Sequence, residues 1–460
     1  MAASHSYSQV VPFPVDEVFG WYARPGALVR LTPPWLPIRP VQEATSLRDG
    51  TAVLALPGGL RWVARHRPDG YRHAERFVDE LASPALHWGH EHDFHPVESH
   101  ATRVFDRVTT AVPARLLDPV FAYRHRQLLD DLTAHRQLRD QPDAPLRVAV
   151  TGSSGLIGTA LCAFLSTGGH QVTRLVRRSA ATPDERSWHP DNPDPDLLRG
   201  VDAVVHLAGT SIAGRFTEAH LRAVRDSRVT PTRRLAELIG RTADGPRVFV
   251  TASAIGYYGA DRGDELLSET ADRGEGVLAD LVADWEAAAE PAAVAGARVT
   301  AIRTGIVQSP RGGVLRLLRP LFAAGLGGPV GNGQQWVSWI GVDDLLDVYL
   351  RALVDPRLAG PVNAVAPDPV RFDEYAATLG HVLHRPSVLR VPALGPQLLL
   401  GKEGARELAL ASQRVRPERL LTSGHQFRRP RLVDTLAHLL GKLADSASAD
   451  RDGPAGETAG

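Results

Sequence analysis

The chain has 460 residues, enough for two or three domains, and its 43% hydrophobic and 23% charged content is an ordinary globular balance. Its 52 Lys+Arg and 52 Asp+Glu residues cancel, and neither half is basic, which argues against nucleic acid or an anionic membrane as partner. One cysteine, Cys162, excludes an internal disulfide and a Cys-based metal site; with no apolar run of about 18 residues and no signal-like start, a cytoplasmic protein without a membrane span is expected.

In chain order, Asp16–Tyr22 reads as a short helix, followed by a proline-rich loop over Thr32–Pro40. The alternating runs Thr51–Leu56 and Arg61–His66 read as half-buried strands. In His87–His95, strand geometry would place Trp88, His90, His92 and Phe94 on one face. Imidazoles two apart can pair on Zn²⁺ or Ni²⁺, but a third ligand would have to come from elsewhere. The reading preferred is a pocket wall or pairing with buried carbonyls, and no metal is assigned. Leu116–Leu138 has helical apolar spacing. Strands followed by a long helix give an α+β domain over 1–140, with the helix across a sheet.

Asp140–Pro145 reads as a linker. Strand–helix alternation then begins: Arg147–Val150, Val172–Val176, Ala203–Leu207, Arg247–Thr251 and Val299–Arg303 as strands, with helices Leu156–Gly168, Glu218–Ile239 and Val277–Val294 between them. This predicts an α/β doubly wound parallel Rossmann-type sheet. Val337–Ile340 and Val362–Val365 are expected in a smaller substrate lobe, the whole unit spanning 146–392. A mostly helical end (393–441) and a disordered tail (442–460) follow.

The strongest motif is the strand–turn–helix Arg147–Gly158, with Gly152, Gly155 and Gly158 around Ser153, Ser154, Leu156 and Ile157. The glycines permit the tight turn, the approach of a diphosphate and close helix–strand packing, while N–H groups at the helix start face the anion. The second strand ends not in an acid but in Arg177 and Arg178. Guanidinium matches a 2′-phosphate, so NADP(H) is preferred over NAD(H). Trp188 stacks on adenine or sits in a surface loop; the two remain equal. Cys162 reads as a small buried apolar residue.

Residues Thr151–Gly158, Asp202–Gly209 (DAVVHLAG) and Thr251–Gly259 (TASAIGYYG) follow the order of the extended short-chain dehydrogenase/reductases. Ser211–His220, Asp226–Val229, Arg303–Val307, Gly325–Leu345 and Gly360–Pro367 resemble the atypical epimerase-like subfamily (NAD-dependent epimerase/dehydratases), and Ser412–Leu421 resembles its small C-terminal domain. Residues 1–138, with Tyr123–His135, are similar to polyketide cyclase/START-like helix-grip (SRPBCC) domains, which implies a lipid-like or other hydrophobic ligand there. The resemblance implies that Gly152 to Gly158 hold the diphosphate and Arg177 the 2′-phosphate. It also implies that Leu207, Ala208 and Gly209 line the nucleotide, that Arg228 reaches it from the next helix, and that Ser253 stands at the catalytic hydroxyl position.

The family's Tyr-x-x-x-Lys pair is missing. Of the 52 basic residues only Lys402 and Lys442 are lysines, and Leu278 and Val282 fall at the two positions. Ser253, Tyr257 and Tyr258 remain as catalytic candidates; a tyrosine without its lysine serves better as a hydrogen-bond donor than as a base. The tyrosines are equally readable as packing residues. Asp343 and Asp344 are expected to cap a helix. Two readings stay open. One is an NADP-dependent oxidoreductase or epimerase-like enzyme acting on a small-molecule substrate. The other is a catalytically silent NADP(H)-binding regulator, for example of cell division. Nothing in the sequence sets the oligomeric state.

Overall fold

The structure, a computed structural model, describes residues 2–82, 86–138, 145–392 and 394–442. Most of the expected linker and tail therefore lies outside the described residues.

Period-two alternation of buried and exposed residues builds an antiparallel sheet from β1 (Ala3–Val11), β2 (Arg39–Gln42), β3 (Thr51–Ala55), β4 (Arg61–His66), β5 (Arg76–Leu81), β6 (Trp88–Glu98) and β7 (Ala101–Thr110), in the order β1-β7-β6-β5-β4-β3-β2. Helices α1 (Val15–Ala23), α2 (Ala27–Leu31) and α3 (Ala114–Gln137) cover its inner face. Leu128 and Leu132 of α3 join Phe13, Phe19, Trp21, Tyr22, Phe77 and Phe94 in one core. Over this stretch the space between sheet and helices is filled by the chain's own rings.

The second sheet is parallel throughout: β8 (Arg147–Thr151), β9 (Gln171–Val176), β10 (Glu185–Ser187), β11 (Ala203–His206), β12 (Val248–Ala254), β14 (Arg298–Thr304) and β18 (Gly360–Ala364) in the order β10-β9-β8-β11-β12-β14-β18. Helices α4 (Leu156–Thr167) and α9 (Val342–Val354) pack on one face, and α5 (Glu218–Arg241) and α7 (Glu290–Val294) on the other. Burial on both faces makes these strands read as apolar runs rather than alternating ones. Short pairs build the smaller lobe: β13 (Asp261–Leu267) with β20 (Ser412–Val415), β15 (Ile306–Gln308) with β17 (Trp339–Gly341), and β16 (Trp336–Val337) with β19 (Val370–Arg371). Helices α6 (Val277–Ala287), α8 (Gly313–Ala323), α10 (Phe372–Leu383), α11 (Leu394–Gly404), α12 (Glu418–Thr422) and α13 (Leu432–Leu439) complete the chain.

Several expectations change. The Val362–Val365 run is no lobe strand but closes the main sheet beside β14, 60 residues earlier in sequence at Thr300↔Gly360. The expected helix Val277–Val294 is two helices, because Pro291 lacks an N–H and opens a new first turn. The end is less helical than expected, since Ser412–Val415 is a strand. Trp188 is 2% exposed and packs with Leu197, Leu198 and Phe249, so it belongs to the core and not to a surface loop.

The two sheets meet along α4 and α9. A side chain at Gly26 would stand 2.4 Å from the Ala163 carbonyl of α4. Arg30 donates to Asp131 (2.8 and 2.7 Å) and to Asp343 (2.7 Å), while Arg428 donates to Asp131 (2.7 Å) and through two nitrogens to Asp347 (both 2.6 Å). Asp344 accepts the Arg428 backbone N–H at 2.6 Å. Neither Asp343 nor Asp344 caps α9, whose N-cap is Gly341; they bind the N-terminal domain and the C-terminal segment instead. Burial pushes Asp344 up to about 6 and Asp347 up to about 7, against the opposing pull of Arg428.

Candidate functional site

The β8–α4 turn is built almost entirely from backbone. Gly152 has φ +66, and a β-carbon there would sit 2.8 Å from the Leu207 backbone at the end of β11; only glycine adopts that angle without strain. A β-carbon on Gly158 would meet the Gly152 carbonyl at 2.2 Å, so the third glycine lets α4 seat against the turn. Gly155 donates to the Gly152 carbonyl (3.0 Å), and the first helical bond runs from Thr159 to Gly155 (3.0 Å). The N–H groups of Leu156, Ile157 and Gly158 thus have no carbonyl one turn back and point out of the helix start. Thr159 Oγ1 donates to the Ser153 carbonyl (3.2 Å) and braces the loop, while Ser154 is exposed.

Thr151 Oγ1 accepts from the N–H groups of Leu207 (3.1 Å) and Ala208 (3.2 Å), so its own proton goes to His206 Nδ1 at 2.7 Å. Burial holds His206 down at about 3, hence neutral. This pins the crest of β11 to the glycine turn. Arg228 donates to the Thr210 carbonyl (2.9 Å), and a β-carbon on Gly209 would stand 3.0 Å from its guanidinium carbon. Turn, crest and Arg228 therefore form one cradle, as the sequence motifs suggest. Nothing with a side chain fits at Gly152 or Gly158, and the unpaired N–H groups suit a diphosphate.

At the end of β9 the two arginines differ. Arg178 is held through Nη2 and Nη1 by Glu185 of β10 (2.7 and 2.8 Å), and hydrogen bonds from Arg178 and the Ala181 N–H hold Glu185 at about 2. Arg177 is exposed beside it. The sequence reading missed Glu185 because it lies beyond a loop, on a strand of three residues.

Near the end of β12, Ser253 Oγ donates to Glu286 Oε1 of α6 at 2.6 Å. Glu286 also accepts two hydrogen bonds from Arg303 of β14, both 2.8 Å. Arg303 donates to the Tyr258 hydroxyl (3.1 Å), which donates onward to Asn363 Oδ1 (2.7 Å). The Arg303 guanidinium carbon lies 3.5 Å from the Tyr257 ring centre. Tyr258 is fully buried, and burial raises its pKa. The three catalytic candidates are therefore joined through a Glu286–Arg303 ion pair that the sequence reading did not find. Leu278 and Val282 are buried, lying 3.6 and 3.9 Å from where a β-carbon on Gly256 would be. The place of a base pair is apolar, and Lys402 is exposed on α11.

Residues 148–365 match the NAD dependent epimerase/dehydratase family, and residues 391–439 match a domain of unknown function, DUF1731. An epimerase family protein of Mycobacterium bovis is 42% identical over 294 residues, which are 63% of this chain and 96% of that protein. The chain belongs to the NAD-dependent epimerase/dehydratase family. A chloroplastic SDR39U1 homolog of Arabidopsis thaliana is 35% identical, over 65% of this chain and 88% of its own.

Two solved structures place this family member further. The crystal structure of human epimerase family protein SDR39U1 with NADPH is 31% identical with TM-score 0.59, covering 65% of this chain and 100% of its own. A Corynebacterium glutamicum protein solved as a nucleoside-diphosphate sugar epimerase is 43% identical with TM-score 0.83, covering 95% of this chain and 90% of that one. The curated relatives span about two thirds of the chain, whereas this likeness takes in the N-terminal sheet as well. Among the described residues no helix is long and apolar enough to cross a membrane.

Proposed function

We propose that the protein binds NADP(H) in the β8–α4 cradle and exchanges hydride with a small substrate, a nucleotide sugar or hydrophobic carbonyl, at the end of β12. The carrying observation is the turn itself, with its open N–H groups and exposed Arg177 in reach of the adjoining strand end. Leu156, Ile157 and Gly158 would hold the diphosphate. Arg177 would take the 2′-phosphate, Arg178 being engaged by Glu185. Leu207 to Gly209 would line the nucleotide, with Arg228 behind them. The bound nicotinamide supplies or accepts the hydride.

Ser253, its proton given to Glu286, offers lone pairs and so accepts a hydrogen bond from a substrate hydroxyl. Leu278 and Val282 keep water from that place. The Tyr258 hydroxyl, spent between Arg303 and Asn363, holds the strand end in shape, and Tyr257 forms a wall stacked on Arg303. Support comes from the human relative solved with NADPH and from the Corynebacterium protein's description as a nucleotide-sugar epimerase.

A second reading, a cofactor-binding regulator without turnover, is favoured by the apolar pair Leu278 and Val282. Calorimetry with NADPH and NADH comes first: no heat from either rejects both readings. NADPH absorbance is then followed against nucleotide sugars and apolar ketones and aldehydes. Turnover supports the enzyme, and its absence across the panel supports the regulator.

A further inference from the structure

The N-terminal sheet brings together a group of side chains that the nucleotide site does not use. Asp79 of β5 pairs across the ladder with His90 of β6, and His92 lies two residues on, with all three on the inner face. One ligand atom from each lies within 4.8 Å of the others. Asp79 Oδ2 is 3.6 Å from His90 Nδ1 and 3.9 Å from His92 Nε2, beyond hydrogen-bond range.

The opposite nitrogens face a different carboxylate. Asp106 of β7, almost fully buried, has Oδ1 2.9 Å from both His90 Nε2 and His92 Nδ1, and Oδ2 3.0 Å from His125 Nε2 of α3. The His92 contact is close but off hydrogen-bond geometry. A carboxylate only accepts, and a bare nitrogen that close would be repelled, so each of these nitrogens carries the proton. A neutral imidazole has one proton to place. With both imidazoles in the neutral form that ligates a metal, His90 Nδ1 and His92 Nε2 are lone pairs, and they converge with the Asp79 carboxylate. Three acceptors pointing at one space repel one another unless a metal ion or a proton sits among them. Phe77 stacks on His92 with ring centres 4.1 Å apart, and Phe121 meets His90 edge-on at 5.4 Å, which fixes both rings.

We propose that Asp79, His90 and His92 bind a divalent first-row transition ion, with Asp106 as the outer carboxylate that orients both imidazoles. Two imidazoles and one carboxylate suit zinc, iron(II), cobalt or nickel rather than calcium or magnesium, which favour all-oxygen sets. The outer carboxylate behind a ligating histidine is the arrangement that sets its tautomer and raises its basicity. Tetrahedral zinc with 2.0–2.1 Å bonds holds its ligands about 3.3 Å apart, so side chains whose ligand atoms now lie within 4.8 Å of one another close by about 1.5 Å at most. The Asp79 side chain is 15% exposed, so the ion enters from that side and keeps water in its remaining positions. The sequence held the two imidazoles; the third ligand comes from the neighbouring strand.

The test uses the tag-free full chain, stripped with chelator and dialysed, then titrated with Zn²⁺ by calorimetry and with Co²⁺ by visible absorption. One equivalent per chain is expected. Asp79→Asn, at the edge of solvent, should weaken binding at least tenfold while leaving circular dichroism and the thermal midpoint of the metal-free protein unchanged. Asp106→Asn should weaken it 10–100-fold. If Asp106→Asn does not fold, Asp79→Asn and the wild-type titration still decide. Absence of a stoichiometric site for either ion in the wild type overturns the proposal. So does undiminished affinity in folded Asp79→Asn, because the ion would then lie elsewhere.

Discussion

The glycine cradle and the seam between the sheets are both polar, and they are made in opposite ways. The cradle is a single run, Gly152 to Gly158, whose donors are backbone N–H groups and whose shape comes from missing β-carbons. The seam is side chain against side chain, assembled from Arg30, Asp131, Asp343, Asp347 and Arg428 in four distant segments, all of them nearly fully buried. The first is sensitive to volume and indifferent to charge; the second is the reverse. A buried ion pair adds little net stability over an apolar replacement, but breaking one leaves a charge stranded.

That contrast can be tested at its charged end first. Arg428→Ala strands Asp347 and leaves Asp131 with Arg30 as its guanidinium partner, and should cost about 3–5 kcal/mol, read as a lower denaturant midpoint; Arg428→Met with Asp347→Asn should recover much of it. A mild effect of Arg428→Ala would mean that the seam is hydrated. At the steric end, Gly158→Ala places a β-carbon 2.2 Å from the Gly152 carbonyl and should cost about 3 kcal/mol and abolish NADPH binding by calorimetry. Unchanged binding would remove the close approach from the account.

Acid should loosen both regions. Burial holds His135 and His206 at about 3 and His170 and His438 at about 4. The unfolded chain, with histidines near 6.5, takes up protons first. This stabilisation is complete above about 6.5 and drains as pH falls toward 4. Asp344 and Asp347, raised to about 6 and 7, act oppositely: theirs is complete below about 4 and lost as pH rises through 6 to 7. With His92 and His425 likewise held at about 3 by burial, six histidines against two aspartates leave a net loss on the order of 4 kcal/mol per pH unit between 6 and 5, measurable as a falling denaturation midpoint. A midpoint that rises over that interval would show the aspartates dominating.

The smallest effect concerns the two arginines. Arg177→Ala should weaken NADP(H) about tenfold with NAD(H) unchanged, the loss of one charge-assisted contact, whereas Arg178→Ala should change the ratio less than threefold. Equal losses would show that Glu185 does not hold Arg178 back.

Much of the fold could be read in advance because its signals are local. Arg61–His66 alternates as a strand facing a core on one side must, and the apolar runs near 148, 172, 203 and 248 announce strands buried on two faces. The readings that changed depend on partners far along the chain. Val362 belongs to the main sheet because β14 stands beside it. Trp188 is interior because Leu197 and Phe249 cover it. Asp343 and Asp344 look like caps in any linear reading, since acids in a first helical turn usually serve that purpose; the N-terminal domain lies against that turn and gives them Arg30 instead. At the β12 end, Ser253, Tyr257 and Tyr258 were visible in a short motif, but the Glu286–Arg303 pair, which engages the Ser253 and Tyr258 hydroxyls and the Tyr257 ring, joins an expected helix and strand whose contact no local pattern announces.

The run of residues alone thus fixed the nucleotide turn, since a strand, three glycines and a helix start within twelve residues leave the backbone one economical path. It also fixed the absence of a Tyr-x-x-x-Lys pair, because two lysines can be counted. Packing of remote segments settled the rest: which arginine stands open beside the nucleotide, which acids seal the domains, and which carboxylate completes the pair of imidazoles. Those outcomes rest on distances of about 3 to 4 Å between groups from seven to about three hundred residues apart, and contacts of that kind exist only once desolvation and close packing have brought the elements together.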